Sequence, residues 1–128
     1  MHNTSLKGKG ISLVNDGKRM QPGNTTILVL VVLKDGARHG YDIAREVEAR
    51  SDNALAFKHG TLYPVLHGLE KDSLIVSAWE HADGERPRRV YSLTPAGEAK
   101  LEQCLKQWNE FTQAMNKVIG GSKGEQSI

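Results

Sequence analysis

Residues 60–93 decide the fold of this chain, and they read GTLYPVLHGLEKDSLIVSAWEHADGERPRRVYSL. The first third of the stretch places its apolar residues at i, i+3, i+4 and i+7, a spacing that predicts an amphipathic helix. Those residues are Leu62, Val65, Leu66 and Leu69. From Leu74 to His81 the residues alternate in polarity, and 88–93 follow a polar turn, which predicts two paired strands. A helix followed by a hairpin with arginines beside its turn therefore forms the centre of the chain.

A helix followed by a basic hairpin is typical of a winged helix-turn-helix domain, in which the helix enters the DNA major groove and the hairpin meets the backbone. Two further helices are predicted upstream. The first is capped by Asn24 or Thr25 and ends at Gly36, and the second runs from about Tyr41 to Arg50. In the second helix, we expect a buried face made of Tyr41, Ala44 and Val47. The fold class is α+β, with three helices and a two-stranded wing.

A long C-terminal helix is predicted to begin at Thr94-Pro95, where a hydroxyl can cap and proline needs no amide partner, and to end before Gly121. Its apolar residues alternate at three and four positions, as in a coiled-coil seam. They are Leu101, Cys104, Leu105, Trp108, Phe111, Met115, Val118 and Ile119. One small domain cannot cover so broad a stripe, so we expect a homodimer formed through this helix.

The domain organisation follows from these elements. Residues 1–23 are rich in Gly, Lys, Asn and Ser without a sustained period, which predicts a flexible basic N-terminal arm. Residues 24–93 form the predicted winged helix DNA-binding domain, and 94–120 form the C-terminal dimerisation helix. Residues 121–128 are predicted to be a disordered tail.

Composition limits the other functional classes. The single Cys104 allows no intramolecular disulfide and offers no metal-ligand spacing, which fits a cytoplasmic protein with no metal site and no cofactor. The longest apolar run, Ile27 to Leu33, is far too short to span a bilayer. A phosphate-binding glycine loop and a nucleophile elbow are both missing from the sequence, so we do not expect an enzyme. The net charge of +2 is too slight to indicate nucleic-acid binding by itself.

Four motifs resemble those of a known family. They are HGYDI at 39–43, GTLYPVLHGLE at 60–70, RPRRVY at 86–91 and LTPAG at 93–97. Together they resemble the PadR-like transcriptional regulators, in the short form with one C-terminal dimerisation helix. The resemblance implies a homodimeric repressor whose recognition helices enter successive major grooves of a near-palindromic operator. It differs at Lys58-His59, where family members often have Ser-Pro.

The candidate DNA contacts lie at the start of the second helix, on or before the third helix, and beside the wing turn. They are Tyr41, Lys58, Thr61, Tyr63, His67, Arg86, Arg88 and Arg89. Alternatives stay open for most of them. Thr61 can cap the helix or contact phosphate, Tyr41 can pack in the core, and His67 can be a solvated surface residue. Tyr63 can instead pack its ring on the domain, and the three arginines can be an ordinary solvated charge run.

The resemblance also implies a cavity between the C-terminal helices that accepts flat aromatic ligands, which makes a small aromatic effector a candidate partner beside double-stranded DNA. The candidate effector and dimer-interface residues are Leu101, Cys104, Leu105, Trp108, Phe111 and Met115. Trp108 can stack on such a ligand, although the general burial of aromatic stripes favours interface packing. The alternative functions are a winged-helix protein-interaction module and a dimeric drug-binding protein without specific DNA binding.

Overall fold

The computed structural model describes residues 11–13, 22–81, 83–84 and 86–120. Four helices and five short strands follow one another along the chain. They are β1 (Ile11–Leu13), α1 (Pro22–Lys34), β2 (Arg38–His39), α2 (Gly40–Arg50), β3 (Leu55–Phe57), α3 (Leu62–Lys71), β4 (Ile75–Glu80), β5 (Arg88–Leu93) and α4 (Pro95–Gly120). The predicted tail and most of the predicted N-terminal arm lie outside the described residues.

One hydrophobic core joins the helices to the sheet. Each of the four helices and the first wing strand contributes at least one completely buried aliphatic side chain to it: Leu30, Ile43, Leu66, Leu101 and Ile75. Because each side chain comes from a different element, the core fixes α3 and the wing to the same support. The winged helix-turn-helix fold predicted from the sequence is confirmed.

The sheet has one strand more than the sequence indicated. The wing strands pair antiparallel, with Ile75 opposite Leu93 and Glu80 opposite Arg88, and β2 adds to the other edge of β5, so the strand order is β2-β5-β4. A two-residue strand is too short to show a period, which is why it escaped prediction. It matters because it holds the first turn of α2 beside the wing.

Two differences concern the start of the chain. Within the predicted arm, β1 forms a strand that pairs antiparallel with β3, and helix α1 begins at Pro22 rather than at Asn24 or Thr25. The apolar segment from Leu55 to Phe57, whose path the sequence left open, is the partner of β1.

The buried face of α2 differs from the predicted one. Ile43 and Val47 are buried, whereas the Tyr41 side chain is 66% exposed. In α3 the prediction is confirmed: Leu62, Leu66 and Leu69 are buried, and Pro64 lies in the first turn, where a missing amide proton costs nothing.

The start of α4 is also confirmed. The Thr94 hydroxyl accepts the Gly97 amide proton over 2.9 Å and donates toward the carbonyl oxygens of Ser73 and Leu74, at 2.8 and 3.0 Å. One side chain therefore caps α4 and attaches it to the loop between α3 and β4. Leu101 is 1% exposed and belongs to the core of the protomer, so its prediction as a dimer-interface residue is corrected.

We expect that replacing Ser73 by glycine stabilises the folded protein. The amides of Ser73 and Leu74 close the end of α3 on the carbonyls of Glu70 and Leu69, which places Ser73 in the left-handed region at φ 63°. Ser73→Gly should raise the free energy of unfolding by about 0.5–1 kcal/mol, because relief of this strain exceeds the entropy cost of a glycine. Urea unfolding measures the change. Ser73→Ala keeps the Cβ and should give no gain; an equal gain from alanine would contradict the explanation.

Candidate nucleic-acid interface

A groove of about 680 Å³ separates the outer face of α3 from the wing. Its walls come from three elements: Tyr63 and His67 on α3, Tyr41 on α2, and Trp79 and Arg88 on the wing. The structure thus brings together side chains that are distant in the sequence, since 47 positions separate Tyr41 from Arg88. Of the eight predicted DNA contacts, five line this groove and three do not: Tyr41, Tyr63, His67, Arg88 and Arg89 line it, whereas Lys58, Thr61 and Arg86 lie outside it.

Tyr63 owes its position to Gly40. A Cβ built on Gly40 would lie 2.7 Å from the Tyr63 hydroxyl oxygen and 2.8 Å from its Cε1 atom, so any larger residue at position 40 would displace the ring from this position. Tyr63 remains 56% exposed at this position. The neighbouring Tyr41 is exposed too, with the Arg45 guanidinium 5.6 Å from its ring centroid. Both rings therefore face the solvent side of the groove, and core packing no longer explains Tyr41.

Thr61 has a different role from the one considered first. Its side chain is 1% exposed, and its hydroxyl donates to the carbonyl oxygen of Lys58 over 2.7 Å. The hydroxyl makes no capping bond to the amides of α3. Burial removes Thr61 from the surface that DNA can touch, so it supports the turn before α3. Lys58, in the same turn, is partly exposed and stays a candidate contact.

The three arginines of the wing are not equivalent. Arg86 and Arg88 are exposed, and neither forms an ion pair with another residue that the structure describes. Arg89 is engaged: its Nη2 and Nε atoms donate to the Ser77 Oγ over 2.7 and 3.1 Å, and Nη2 lies 3.5 Å from Glu70 Oε2. Sequence reasoning treated the three alike, because a charge run does not reveal which side chain will find a partner.

His39 links the start of α2 to the wing. Its Nε2 atom lies 2.7 Å from Glu80 Oε1, and its Nδ1 atom lies 3.3 Å from Asp42 Oδ2. Nearby, Tyr91 lines the groove, and burial raises the pKa of its phenol. Sequence reasoning did not assign a role to Glu80 or Tyr91, since their partners are distant in the chain.

A second surface lies on α4. Its exposed apolar residues follow the predicted stripe: Leu105, Trp108, Phe111, Met115, Val118 and Ile119. Trp108 borders two cavities between α4 and α1, one of about 470 Å³ shared with Cys104 and Phe111, the other of about 220 Å³ shared with Leu28 and Leu105. The Trp108 and Phe111 rings lie 6.2 Å apart at a tilt of 43°.

Within the described ranges, no helix combines the length and apolarity that crossing a bilayer requires. Among the same residues, no group of three or more His, Cys, Asp and Glu side chains has the arrangement of a metal site.

The fold and the groove define a winged helix-turn-helix protein. The chain belongs to the PadR-like family of transcriptional regulators, whose family model matches residues 29–103. The transcriptional regulator Rv3488 of Mycobacterium tuberculosis is 40% identical over 87 residues, which cover 68% of this chain and 75% of that protein.

Solved structures show the same relationship. A PadR family transcription regulator from hypervirulent Clostridium difficile R20291 superposes with a TM-score of 0.65 at 31% identity, covering 73% of this chain and 96% of its own. Bacillus subtilis PadR in complex with operator DNA gives a TM-score of 0.57 at 25% identity, covering 62% of this chain and 45% of its own.

Proposed function

We propose that this protein is a homodimeric transcriptional repressor that binds a near-palindromic operator through α3 and the wing. The observation that carries the proposal is the groove, which places the exposed Tyr63 and His67 of α3 next to the exposed Arg88 of the wing. The major groove admits an α-helix, and arginine side chains neutralise the flanking phosphates. The operator complex of the related Bacillus subtilis PadR supports this assignment.

The exposed stripe on α4 supports a dimer. A small protein rarely leaves six large apolar side chains of one helix exposed to solvent. A second copy of the same helix would cover them. Two copies joined there would present two α3 helices to successive major grooves, about 34 Å apart. A dimer bound in this way over a promoter would repress transcription by occlusion.

Arg88→Ala tests the DNA-binding surface. We expect it to weaken binding to all DNA sequences about equally and to reduce the magnitude of the slope of log K against log salt by about 1.8, because the proposed dimer loses one phosphate contact in each of its two subunits. The measurement is fluorescence anisotropy with the protein's own upstream region and with unrelated DNA, at four salt concentrations.

Lys106→Ala is the matched control, because it removes the same charge from an exposed position on α4. It should leave the slope unchanged. If the wild-type protein binds no DNA even at low salt, the proposed function fails and the protein-interaction alternative replaces it. A slope that stays constant in Arg88→Ala, with a changed preference among operator variants, would show that Arg88 reads bases.

We also propose that a planar aromatic molecule binds beside Trp108 and releases the DNA. The cavities on both sides of this indole support a ligand there, and a stacked aromatic pair adds about 0.5–1.5 kcal/mol beyond burial. The ligand releases the DNA only if it prefers a dimer geometry in which the spacing of the two α3 helices no longer fits DNA. A ligand that binds the DNA-binding and the released geometries equally well does not shift the equilibrium between them.

Fluorescence titration with planar aromatic cations and phenolic acids tests this second proposal. We expect quenching in the wild type and in Trp79→Phe, and its loss in Trp108→Phe. Quenching that survives Trp108→Phe and vanishes in Trp79→Phe would place the ligand on the wing instead.

A further inference from the structure

The wing carries two adjacent arginines in different surroundings. We propose that Arg89 is a positioning residue: together with Ser77 and Glu70 it locks the wing against α3 and leaves phosphate neutralisation to its neighbours. This inference rests on the proposed DNA binding of the groove. It assigns opposite roles to Arg88 and Arg89, although they are consecutive and carry the same charge.

The lock is a continuous chain of contacts across three elements. Ser77, in the middle of β4, donates its hydroxyl proton to Glu70 Oε2 on α3 over 2.6 Å. The same hydroxyl oxygen accepts two hydrogen bonds from Arg89 on β5. Ser77 is thus the junction: it uses its only proton toward α3 and its lone pairs toward the other wing strand.

The Arg89 guanidinium is held from a second direction by Trp79. Its central carbon lies 5.2 Å from the centroid of the indole ring, within the range of a cation–π contact. Trp79 stands opposite Arg89 in the strand register, so the stacking is built into the hairpin. A phosphate could take the Nε–Nη2 edge of this guanidinium only by breaking both hydrogen bonds to Ser77 and exposing the Glu70 carboxylate to the DNA. That exchange places a negative charge beside a negative backbone, which opposes it.

The position of the lock along the hairpin explains why it matters for DNA. Core burial anchors the base of the wing at Ile75, but from Val76 outward β4 is mostly exposed. Ser77 is the first residue beyond that base with a side-chain bond to α3. Together with the β2–β5 pairing and the His39–Glu80 contact, the link therefore helps to set the angle of the outer hairpin, which carries Arg86 and Arg88, relative to the α3 face.

Two variants break the lock without removing charge from the surface. Ser77→Ala removes the hydroxyl that joins the three elements. Arg89→Lys keeps the positive charge but loses the planar guanidinium, which hydrogen-bonds to Ser77 and stacks on Trp79 at the same time. We expect each variant to weaken operator binding about tenfold at every salt concentration, which corresponds to the loss of one hydrogen bond from the network. The salt slope should remain that of the wild type. Ser92→Ala, also on the wing, is the control and should bind like the wild type. Arg88→Ala provides the contrasting lowered slope.

A second readout needs no DNA. In a Trp108→Phe background, Trp79 is the sole tryptophan. Acrylamide quenching of its fluorescence then reports whether the Arg89 guanidinium covers the indole ring. Ser77→Ala and Arg89→Lys should both raise the quenching of Trp79, whereas Ser92→Ala should not. Thermal melting of each variant confirms that the domain is folded.

The outcomes separate the hypotheses. Unchanged quenching in both variants would show that the lock does not exist in solution and would overturn the proposal. The same follows if either variant binds the operator as tightly as Ser92→Ala, or if Ser77→Ala binds more tightly with a steeper salt slope, since Arg89 would then be a phosphate contact. If the wild type binds no DNA while the quenching changes as expected, the lock is real, but the proposed function fails and the positioning role fails with it.

Discussion

Replacing Gly97 by alanine is expected to lower the free energy of unfolding by about 3 kcal/mol, near the upper end for overpacking in a core. Gly97 is buried in the first turn of α4, where a Cβ would overlap the backbone carbonyl oxygen of Leu74 and lie 2.8 Å from Leu93 Cδ1. The overlapped atom belongs to the backbone, so no side-chain rotation relieves the clash. The helix must move away from the loop between α3 and β4, which also weakens the Thr94 cap.

The same substitution at Gly68 is the matched control. Gly68 lies inside α3 with no heavy atom within 4 Å of a built Cβ, so Gly68→Ala should stabilise the fold by up to about 1 kcal/mol through helix propensity. Urea unfolding of the two variants should give shifts of opposite sign. A Gly97→Ala protein as stable as the wild type would mean that α4 does not approach Leu74 as closely as the structure indicates.

Placing a charge on the α4 stripe is the second large effect that we expect. Phe111 is 56% exposed in the single chain and lies in the middle of the proposed dimer surface. In the dimer, Phe111→Asp would bury the new carboxylate in the interface with the second subunit, so the dimer should dissociate at micromolar concentration. Operator affinity should then fall by at least about 10²-fold, because the second α3 no longer binds as part of the same molecule. Analytical ultracentrifugation and anisotropy measure the two effects together.

Gln113→Asp introduces the same charge two residues along, on the opposite side of α4, and should leave the protein dimeric. A wild-type protein that remains monomeric would contradict the dimer directly. If Phe111→Asp dissociates the dimer but retains operator affinity, a single α3 is sufficient, and the near-palindromic operator is wrong.

Much of the local structure could be predicted because its causes are local. The 3.6-residue period of Leu62, Leu66 and Leu69 specifies which side of α3 is buried, whatever it packs against. The limits of β5 and the start of α4 at Thr94-Pro95 also agree with the structure, since strand alternation, capping and proline geometry act over a few residues. The four motifs taken together indicated the family, which the family model confirms.

Roles that depend on distant partners could not be predicted in this way. Tyr41 was predicted on the buried face of α2 together with Val47, but α1 and β5 pack against α2 with Ile43 buried and the Tyr41 ring exposed. Leu101 repeats the spacing of the dimer stripe, but it is buried in the core of the chain, where α4 packs against α1 and β5.

By itself, the sequence determined the helices, the wing and the family, because side-chain period, caps and turns act between neighbours. Only the tertiary structure decided which exposed groups remain available for a partner. Arg88 and Arg89 have the same chemistry in the sequence and both are exposed, yet of the two only Arg89 is held by Ser77, Glu70 and Trp79. Glu70 is on α3, so the difference arises only when the folded wing approaches that helix.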